Sequence, residues 1–129
     1  MKKLTLTEDY REEFVNYSKN RITRCSHIKN YNHLTNKILN NTFTFLVKSK
    51  LTVTNKGIIY WYKNNKKIFE AYSYGDKNII DTKEQMQENL YHEVFCMAEW
   101  LARSLTEGYA YTSQNLIGKK NYELITGQR

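Results

Sequence analysis

The sequence predicts an α+β protein, arranged as two N-terminal helices, a three-stranded antiparallel meander, a long amphipathic helix packed on the sheet, and a short C-terminal extension. Three observations lead to this prediction. Residues 57–74 place two β-prone runs around a four-residue turn, Lys63 to Lys66, which is typical of a hairpin. Apolar residues recur at helical spacing both before and after this stretch. With 129 residues and no linker-like segment, the chain is expected to form a single domain over residues 1–129.

The N-terminal region carries a helix start signal followed by an aromatic stripe. Thr5 and Glu8 match a capping box, and acidic residues crowd the turns that follow, where a helix dipole favours them. Aromatic residues then recur at three-to-four spacing from Tyr10 to Tyr17. A first helix is therefore expected over residues 7–23.

A second amphipathic segment predicts a helix over residues 28–40, with Asn40 and Asn41 as its stop because asparagine is a poor residue for a helix interior. Phenylalanine and threonine alternate directly after it, which is a period of two rather than 3.6. This change of period predicts the first strand of the meander over residues 42–54.

The second and third strands are expected at residues 58–62 and 67–74, joined by the basic turn. Because side chains alternate across a strand, one set of residues should cover the core and the other should face solvent or a partner. The two sets are Ile59 with Trp61, and Ile58 with Tyr60 and Tyr62. The sequence leaves open which of them is exposed.

Asp81 and Glu84 mark the start of the longest helix, predicted over residues 82–107. At 1.5 Å per residue this helix would be about 39 Å long, which exceeds the width of a small domain. Its apolar stripe, from Met86 to Leu105, is wide enough to suggest a homodimer through this helix as well as packing on the sheet. The remaining tail, residues 109–129, fits either a last hairpin or a short helix.

Charge is segregated along the chain. The formal net charge is +7, and residues 14–69 contain eleven lysines and arginines but no aspartate or glutamate, whereas residues 78–107 carry a net charge of −4. Clustered cations raise the local potential and release counterions when they bind a polyanion. The simpler alternative is a solvated basic face that only keeps the protein soluble.

Several classes of protein are disfavoured by what the sequence lacks. No apolar run approaches the roughly 20 residues of a bilayer span, and the first residues do not resemble a signal peptide. We therefore expect a cytoplasmic protein with Cys25 and Cys96 reduced. The five glycines do not form a phosphate loop or a dinucleotide turn, so no nucleotide cofactor is predicted.

Cysteine and histidine residues offer one combination that could hold zinc, namely Cys25, His27, His92 and Cys96. The spacing of the first pair is not that of a zinc finger, and Cys96 lies on an apolar helix face, where a free cysteine is normally a small hydrophobe. Cys25 or His92 in a small enzyme is a remaining alternative. We predict no metal, no cofactor and no catalytic residue.

The sequence favours a small, basic, non-enzymatic protein that interacts with nucleic acid, because lysines and arginines can contact phosphates while exposed aromatic rings stack on unpaired bases. The residues expected to make these contacts are Arg21, Arg24, Lys29, Tyr60, Tyr62, Lys63, Lys66 and Lys67. The alternative partner is an acidic protein surface, which would make the protein an inhibitor or adaptor of a nucleic-acid enzyme. The abundance of Asn, Lys, Tyr and Ile suggests an AT-rich genome and hence a phage or other mobile element.

Overall fold

The computed structural model describes residues 3–24, 34–72, 82–107 and 117–127. Their helices are α1 (Arg11–Arg24, preceded by a 3-10 turn at Glu8–Tyr10), α2 (Asn36–Lys48), α3 (Lys83–Glu107) and α4 (Lys119–Thr126). Their strands are β1 (Lys3–Thr5), β2 (Thr52–Thr54), β3 (Ile58–Lys63) and β4 (Lys66–Tyr72). The α+β class, the two helices before the hairpin and the long helix packed on the sheet are confirmed.

The described strands form one antiparallel sheet in the order β1-β2-β3-β4, so the sheet has four strands rather than the predicted three. The unpredicted strand is β1, whose Thr5 had been assigned to a capping box. Thr5 instead lies opposite Thr52, and their hydroxyl groups are 2.8 Å apart. Leu4, Val53 and Ile59 align across three strands and are buried, which defines the core face of the sheet.

The predicted hairpin is confirmed, and the conformation of its turn explains why two asparagines occupy it. Asn64 and Asn65 have φ values of 52° and 64°, which is the pair of left-handed conformations that a two-residue type I′ turn requires. Asparagine tolerates this conformation better than most residues. Ile59 and Trp61 are each 1% exposed and face the core. Tyr60 and Tyr62, which alternate with them, are therefore the outward-facing set.

The helix predicted over residues 28–40 is confirmed from Asn36 onward, and the strand predicted over residues 42–54 is confirmed only at its end, Thr52–Thr54; for residues 42–48 the strand prediction is wrong. Thr35 caps a helix that starts at Asn36 and continues through the predicted stop to Lys48. Residues 28–33 lie outside the described residues. The buried side chains of α2 recur at helical spacing, and this packing overrides the strand propensity of the phenylalanines and threonines. They are Ile38, Leu39, Thr42, Phe43, Phe45 and Leu46.

The two asparagines that were expected to stop this helix use their side chains elsewhere. Asn40 donates from Nδ2 to the Asn36 carbonyl within the helix. Asn41 donates from Nδ2 to the carbonyls of Leu124 and Ile125 in the last turns of α4, at 3.2 and 3.4 Å. These carbonyls lie where a helix has no partners of its own, so Asn41 fixes α4 against α2.

The helix α2 ends in a Schellman turn that leads directly into β2. The Leu51 amide donates to the Leu46 carbonyl at 3.0 Å, and the Lys50 amide donates to the Val47 carbonyl at 3.1 Å. Lys50 occupies the left-handed position with a φ of 55°, where glycine is usual. Leu46 and Leu51 are both 1% exposed, as expected for the hydrophobic contact that accompanies this turn.

The predicted long helix is confirmed as α3, whose start is a reciprocal capping box. The Thr82 amide donates to Gln85 Oε1 and the Gln85 amide donates to Thr82 Oγ1, both at 3.1 Å. Asp81, the predicted cap, lies outside the described residues. The apolar stripe of α3, from Met86 to Leu101, is buried against α1, α2 and the first two strands. The stripe that suggested a homodimer is thus covered within one chain, and the dimer remains a prediction.

Two further features complete the fold. The predicted aromatic stripe of α1 is confirmed, because the rings of Phe14 and Tyr17 contact Tyr91 of α3 with centroids 6.2 and 5.8 Å apart. Of the two alternatives for the tail, the short helix is observed as α4, which ends at Gly127 in the left-handed conformation. None of the helices in the described residues is long and apolar enough to cross a membrane.

The left-handed turn at Lys50 leads to a stability prediction. Lys50→Gly should raise the free energy of unfolding by roughly 0.5–1 kcal/mol, because a side chain at this φ is strained and glycine is not. Lys48→Gly is the matched control, since it removes the same side chain from the last turn of α2 and should lower stability by roughly 0.5–1 kcal/mol. Urea denaturation monitored by circular dichroism would measure both. Equal losses in the two variants would contradict the role assigned to Lys50.

Candidate nucleic-acid interface

Three separate segments bring exposed lysines to the same end of the sheet. The Tyr62 amide of β3 donates to the Ser49 carbonyl at 2.6 Å, which places the end of α2 beside the hairpin tip. The Nζ atom of Lys63 lies 3.0 Å from the position that a Cβ on Gly118 would occupy, which places the start of α4 beside it as well. We call the exposed lysines of these segments the lysine cluster: Lys48, Lys50, Lys63, Lys66, Lys67, Lys119 and Lys120.

The hairpin tip juxtaposes like charges. Lys63 and Lys66 are directly opposite each other in the β3–β4 register, and Lys67 is opposite Tyr62. Like charges facing each other across an antiparallel pair reduce stability. The opposed lysines therefore lower the stability of the hairpin, and a bound polyanion would offset this loss by neutralising their charge. Within the described sheet β4 is an outer strand, and lysines on such a strand hinder edge-to-edge association, which is a structural reason for Lys66 and Lys67.

The outward face of β3 adds aromatic side chains next to the lysine cluster. Tyr60 and Tyr62 are half-buried, and their rings meet edge to face with centroids 5.7 Å apart. Each ring therefore keeps part of its surface accessible while its neighbour restricts its rotation. A restrained, partly exposed ring beside cations is the type of platform on which unpaired bases stack.

The cations predicted on the N-terminal helices occupy different positions. Arg21 is half-buried on α1, and Arg24 is exposed at the end of that helix. Lys29 lies outside the described residues. In the described part of the chain α1 packs mainly on α2 and α3 rather than on the hairpin. The structure therefore does not bring Arg21 and Arg24 together with Lys63, Lys66 and Lys67.

Arg21 is engaged within the protein. Its Nη1 atom lies 3.2 Å from the Tyr17 hydroxyl and 3.3 Å from His92 Nδ1, and its guanidinium carbon lies 5.0 Å from the centroid of the Phe95 ring. A donor at Nδ1 leaves the imidazole proton on Nε2, which lies 3.5 Å from Cys96 Sγ. Arg21 thus braces α1 against α3, and these contacts make it less suitable for phosphate than the lysine cluster.

This polar cluster does not have the properties of an activated nucleophile. Burial, together with the charge of Arg21, lowers the pKa of His92. Burial, followed by the nearby Glu93 carboxylate, raises the pKa of the Cys96 thiol to about 11. A Cys–His nucleophile requires the opposite shifts, with a thiolate beside a cationic imidazole.

The zinc combination cannot be assembled from the residues that the structure describes. Cys25 and His27 lie outside the described residues, and His92 and Cys96 are one helical turn apart on α3. Within the described ranges, no group of three or more histidine, cysteine, aspartate or glutamate side chains is placed to hold a metal ion.

Sequence reasoning missed two parts of the lysine cluster. Lys48 and Lys50 belong to a helix end that had been assigned to a strand. Lys119 and Lys120 were visible as a basic turn in the tail, but their proximity to the hairpin depends on how α4 docks on α2. Short-range sequence patterns do not indicate which helices pack together, so nothing in the sequence indicated that these segments lie close to the hairpin.

An apolar pocket lies on the other side of β3. Its volume is about 220 Å³, and its lining residues are Leu46, Leu51, Trp61, Glu93, Cys96, Met97 and Trp100. The two leucines and Trp61 form a buried floor, whereas the four residues from α3 form a half-buried rim. Burial raises the pKa of Glu93 to about 6. The pocket is therefore an apolar depression with one acidic group.

The shift of Glu93 predicts a pH dependence of stability. Because the carboxyl has its ordinary pKa of 4.5 in the unfolded chain and about 6 in the folded protein, folding favours its protonated form. Its stabilising contribution is complete at about pH 4.5 and is lost as the pH rises through about 6, for a total of about 2 kcal/mol. As the pH rises from about 4.5 to neutral, the stability of Glu93→Gln relative to the wild type should therefore increase by up to about 2 kcal/mol.

Chemical denaturation of both proteins across this pH range would measure the effect. The comparison cancels the titration of His92, whose lowered pKa acts in the opposite direction. Glu88→Gln, at an exposed position on the same helix, is the matched control for the loss of one carboxylate. A difference in stability between the wild type and Glu93→Gln that does not vary with pH would show that the Glu93 carboxyl is not desolvated in the folded protein.

Comparison of the chain with known protein families, with characterised proteins and with solved structures finds no match. A functional conclusion therefore depends on the residues and geometry described above.

Proposed function

We propose that the protein binds nucleic acid through the lysine cluster and the outward face of the hairpin. The observation that carries the proposal is the convergence of three segments distant in sequence, each of which contributes exposed lysines to one end of the sheet. Exposed lysines contact phosphates without reading the sequence, so binding of this kind is sensitive to salt and tolerant of sequence.

The proposed roles of the residues follow from their positions. Lys63 and Lys66 face each other at the tip, so a phosphate between them would offset their repulsion. Lys50 and Lys119, on the flanking segments, would extend the track along which the backbone lies. Tyr60 and Tyr62 would stack on bases, which favours single strands because the bases of a duplex are already stacked.

This proposal places the protein in the cytoplasm and gives it a binding role without catalysis. The protonated thiol expected for Cys96 supports the absence of a Cys–His nucleophile among the described residues. An acidic protein is the alternative partner for the same positive surface, and the experiment below separates the two partners.

Reversing the charge at the tip should weaken binding. Lys63→Glu/Lys66→Glu is expected to lower the affinity for a fluorescent single-stranded oligonucleotide on the order of 10- to 100-fold at low salt, because cations that neutralise phosphates are replaced by anions. The slope of log affinity against log salt should also become shallower, by about 0.7 for each lost phosphate contact. Fluorescence anisotropy measures both quantities.

The control for this variant is Lys19→Glu/Lys83→Glu, which makes the same change in net charge at exposed positions outside the lysine cluster. Its affinity should remain close to that of the wild type. If both variants lose the same affinity, binding depends on the net charge of the protein and not on the lysine cluster. If the wild type does not bind the oligonucleotide, nucleic acid is rejected as the partner. A single stoichiometric protein partner that survives nuclease treatment in a pull-down would instead favour the inhibitor or adaptor role.

The tyrosines lead to a separate prediction about strandedness. Tyr62→Leu keeps an apolar side chain but removes the flat ring, and it should lower the affinity for single-stranded DNA on the order of 10-fold. The affinity for a duplex of the same sequence should change much less, because its bases are not available for stacking. Anisotropy with both substrates measures the difference. Equal losses on the two substrates would show that Tyr62 does not stack on bases.

A further inference from the structure

The pocket beside α3 combines features that the lysine cluster does not use. Its floor is formed by the buried side chains of Leu46 and Leu51, whose backbone groups are joined by a hydrogen bond of the Schellman turn, together with the inward-facing Trp61. Its rim comes from one face of α3, where Glu93, Met97 and Trp100 follow at helical spacing of four and three residues. This face differs from the stripe that α3 packs against the core.

Glu93 gives the pocket a definite charge preference. The lining residues contributed by α2, the following turn and β3 are Leu46, Leu51 and Trp61, none of which titrates. On α3 itself the other titratable group in the lining is Cys96, whose thiol stays protonated at neutral pH because its pKa is about 11. In the part of the chain that the structure describes, the Glu93 carboxylate has no hydrogen-bond or ion-pair partner. An ionised carboxylate in such surroundings is costly unless a cation pairs with it.

The dimensions of the pocket limit the size of its occupant. Its volume of about 220 Å³ exceeds that of the cavity of about 150 Å³ that binds benzene in an engineered protein. It is smaller than the roughly 300 Å³ at which pockets for drug-sized ligands begin. One ring with a short chain therefore fits, whereas a nucleotide does not.

We propose that this pocket binds a small organic cation, with an apolar ring or aliphatic body against Trp61, Leu46 and Leu51 and a protonated amine paired with Glu93 at the rim. Trp100 adds an aromatic face that attracts a cation. The apolar floor provides burial, and the carboxylate provides the preference for positive charge over negative or neutral ligands. The site is independent of the proposed nucleic-acid binding, since Trp61 points to the opposite face of β3 from Tyr60 and Tyr62.

The protein carries its own reporter for this site. Its only two tryptophans, Trp61 and Trp100, both line the pocket. A ligand with a phenyl ring does not absorb at the red edge of the indole spectrum, so it can be titrated while tryptophan fluorescence is followed selectively.

Phenethylamine is the probe, and 3-phenylpropionate is the control ligand with a similar body and the opposite charge. Phenethylamine should change tryptophan fluorescence in a saturable way, with a dissociation constant on the order of 0.1–1 mM, as expected for a ligand of this size. The affinity should fall about 10-fold from pH 7.5 to pH 5, because the amine stays charged while Glu93 becomes protonated. The propionate should not bind measurably.

Variants test whether the carboxylate is responsible. Glu93→Gln should weaken phenethylamine binding about 10-fold and abolish its pH dependence, while Glu88→Gln should bind as the wild type does. A thermal melt of each variant confirms that it is folded. The proposal is overturned if phenethylamine produces no saturable change up to about 10 mM, if the propionate binds equally well, or if Glu93→Gln retains full affinity.

Discussion

The turn that ends α2 is the constraint on which the remaining structure depends. Within three residues the chain changes from helix to strand, and all three make backbone hydrogen bonds across elements or back to the helix. The Ser49 carbonyl accepts from Tyr62 of β3, the Lys50 amide donates back to α2, and the Leu51 carbonyl accepts from the Leu6 amide that follows β1. These bonds set the position of the sheet relative to the helix. The strand that follows the turn, Thr52–Thr54, has three residues and pairs with both β1 and β3.

The long helix α3 serves two sides of the molecule because its apolar residues are not confined to one stripe. One side packs against the aromatic residues of α1 and the first two strands, where Tyr91 also donates a hydrogen bond of 2.5 Å to Glu13. The other side forms the rim of the pocket. Glu93 lies on this second side, which explains how an acidic residue can be largely buried without interrupting the core. The same helix therefore supplies both the stability of the fold and the distinctive chemistry of the pocket.

The parts of the fold that could be predicted from sequence are those whose signals are local. The hairpin follows from two adjacent asparagines between strand-forming runs, and α3 follows from a long helical repeat with a polar start. The strand prediction failed for residues 42–48 because Phe43 and Phe45, which alternate with threonines, fit both a strand and one side of a helix. Only the packing of α2 against α3 and α4 decides between these conformations, and the sequence does not show that packing.

In the candidate site, too, the features that depend on local sequence could be predicted, and those that depend on tertiary contacts could not. Lys63, Lys66 and Lys67 were placed correctly at a hairpin tip, because a turn positions its own residues. The contact of Arg21 with His92 joins residues 71 positions apart, and the pocket draws its lining from three regions of the chain. Such arrangements depend on tertiary packing, so a charged residue on an amphipathic helix cannot be assigned to solvent or to the interior from its spacing alone.

The opposed lysines at the hairpin tip have a consequence for the effect of salt on this protein. Added salt screens the repulsion between Lys63 and Lys66, so it should hold the last rung of the β3–β4 ladder closed and slow the exchange of its amide protons. The same ions compete with a polyanion for these ammonium groups. Salt thus has two effects of opposite sign at one location: it closes the hairpin, and it weakens the polyanion binding proposed for the same surface. A bound polyanion, in contrast, would close the hairpin and occupy the surface at the same time, so that local order at the tip would report occupancy.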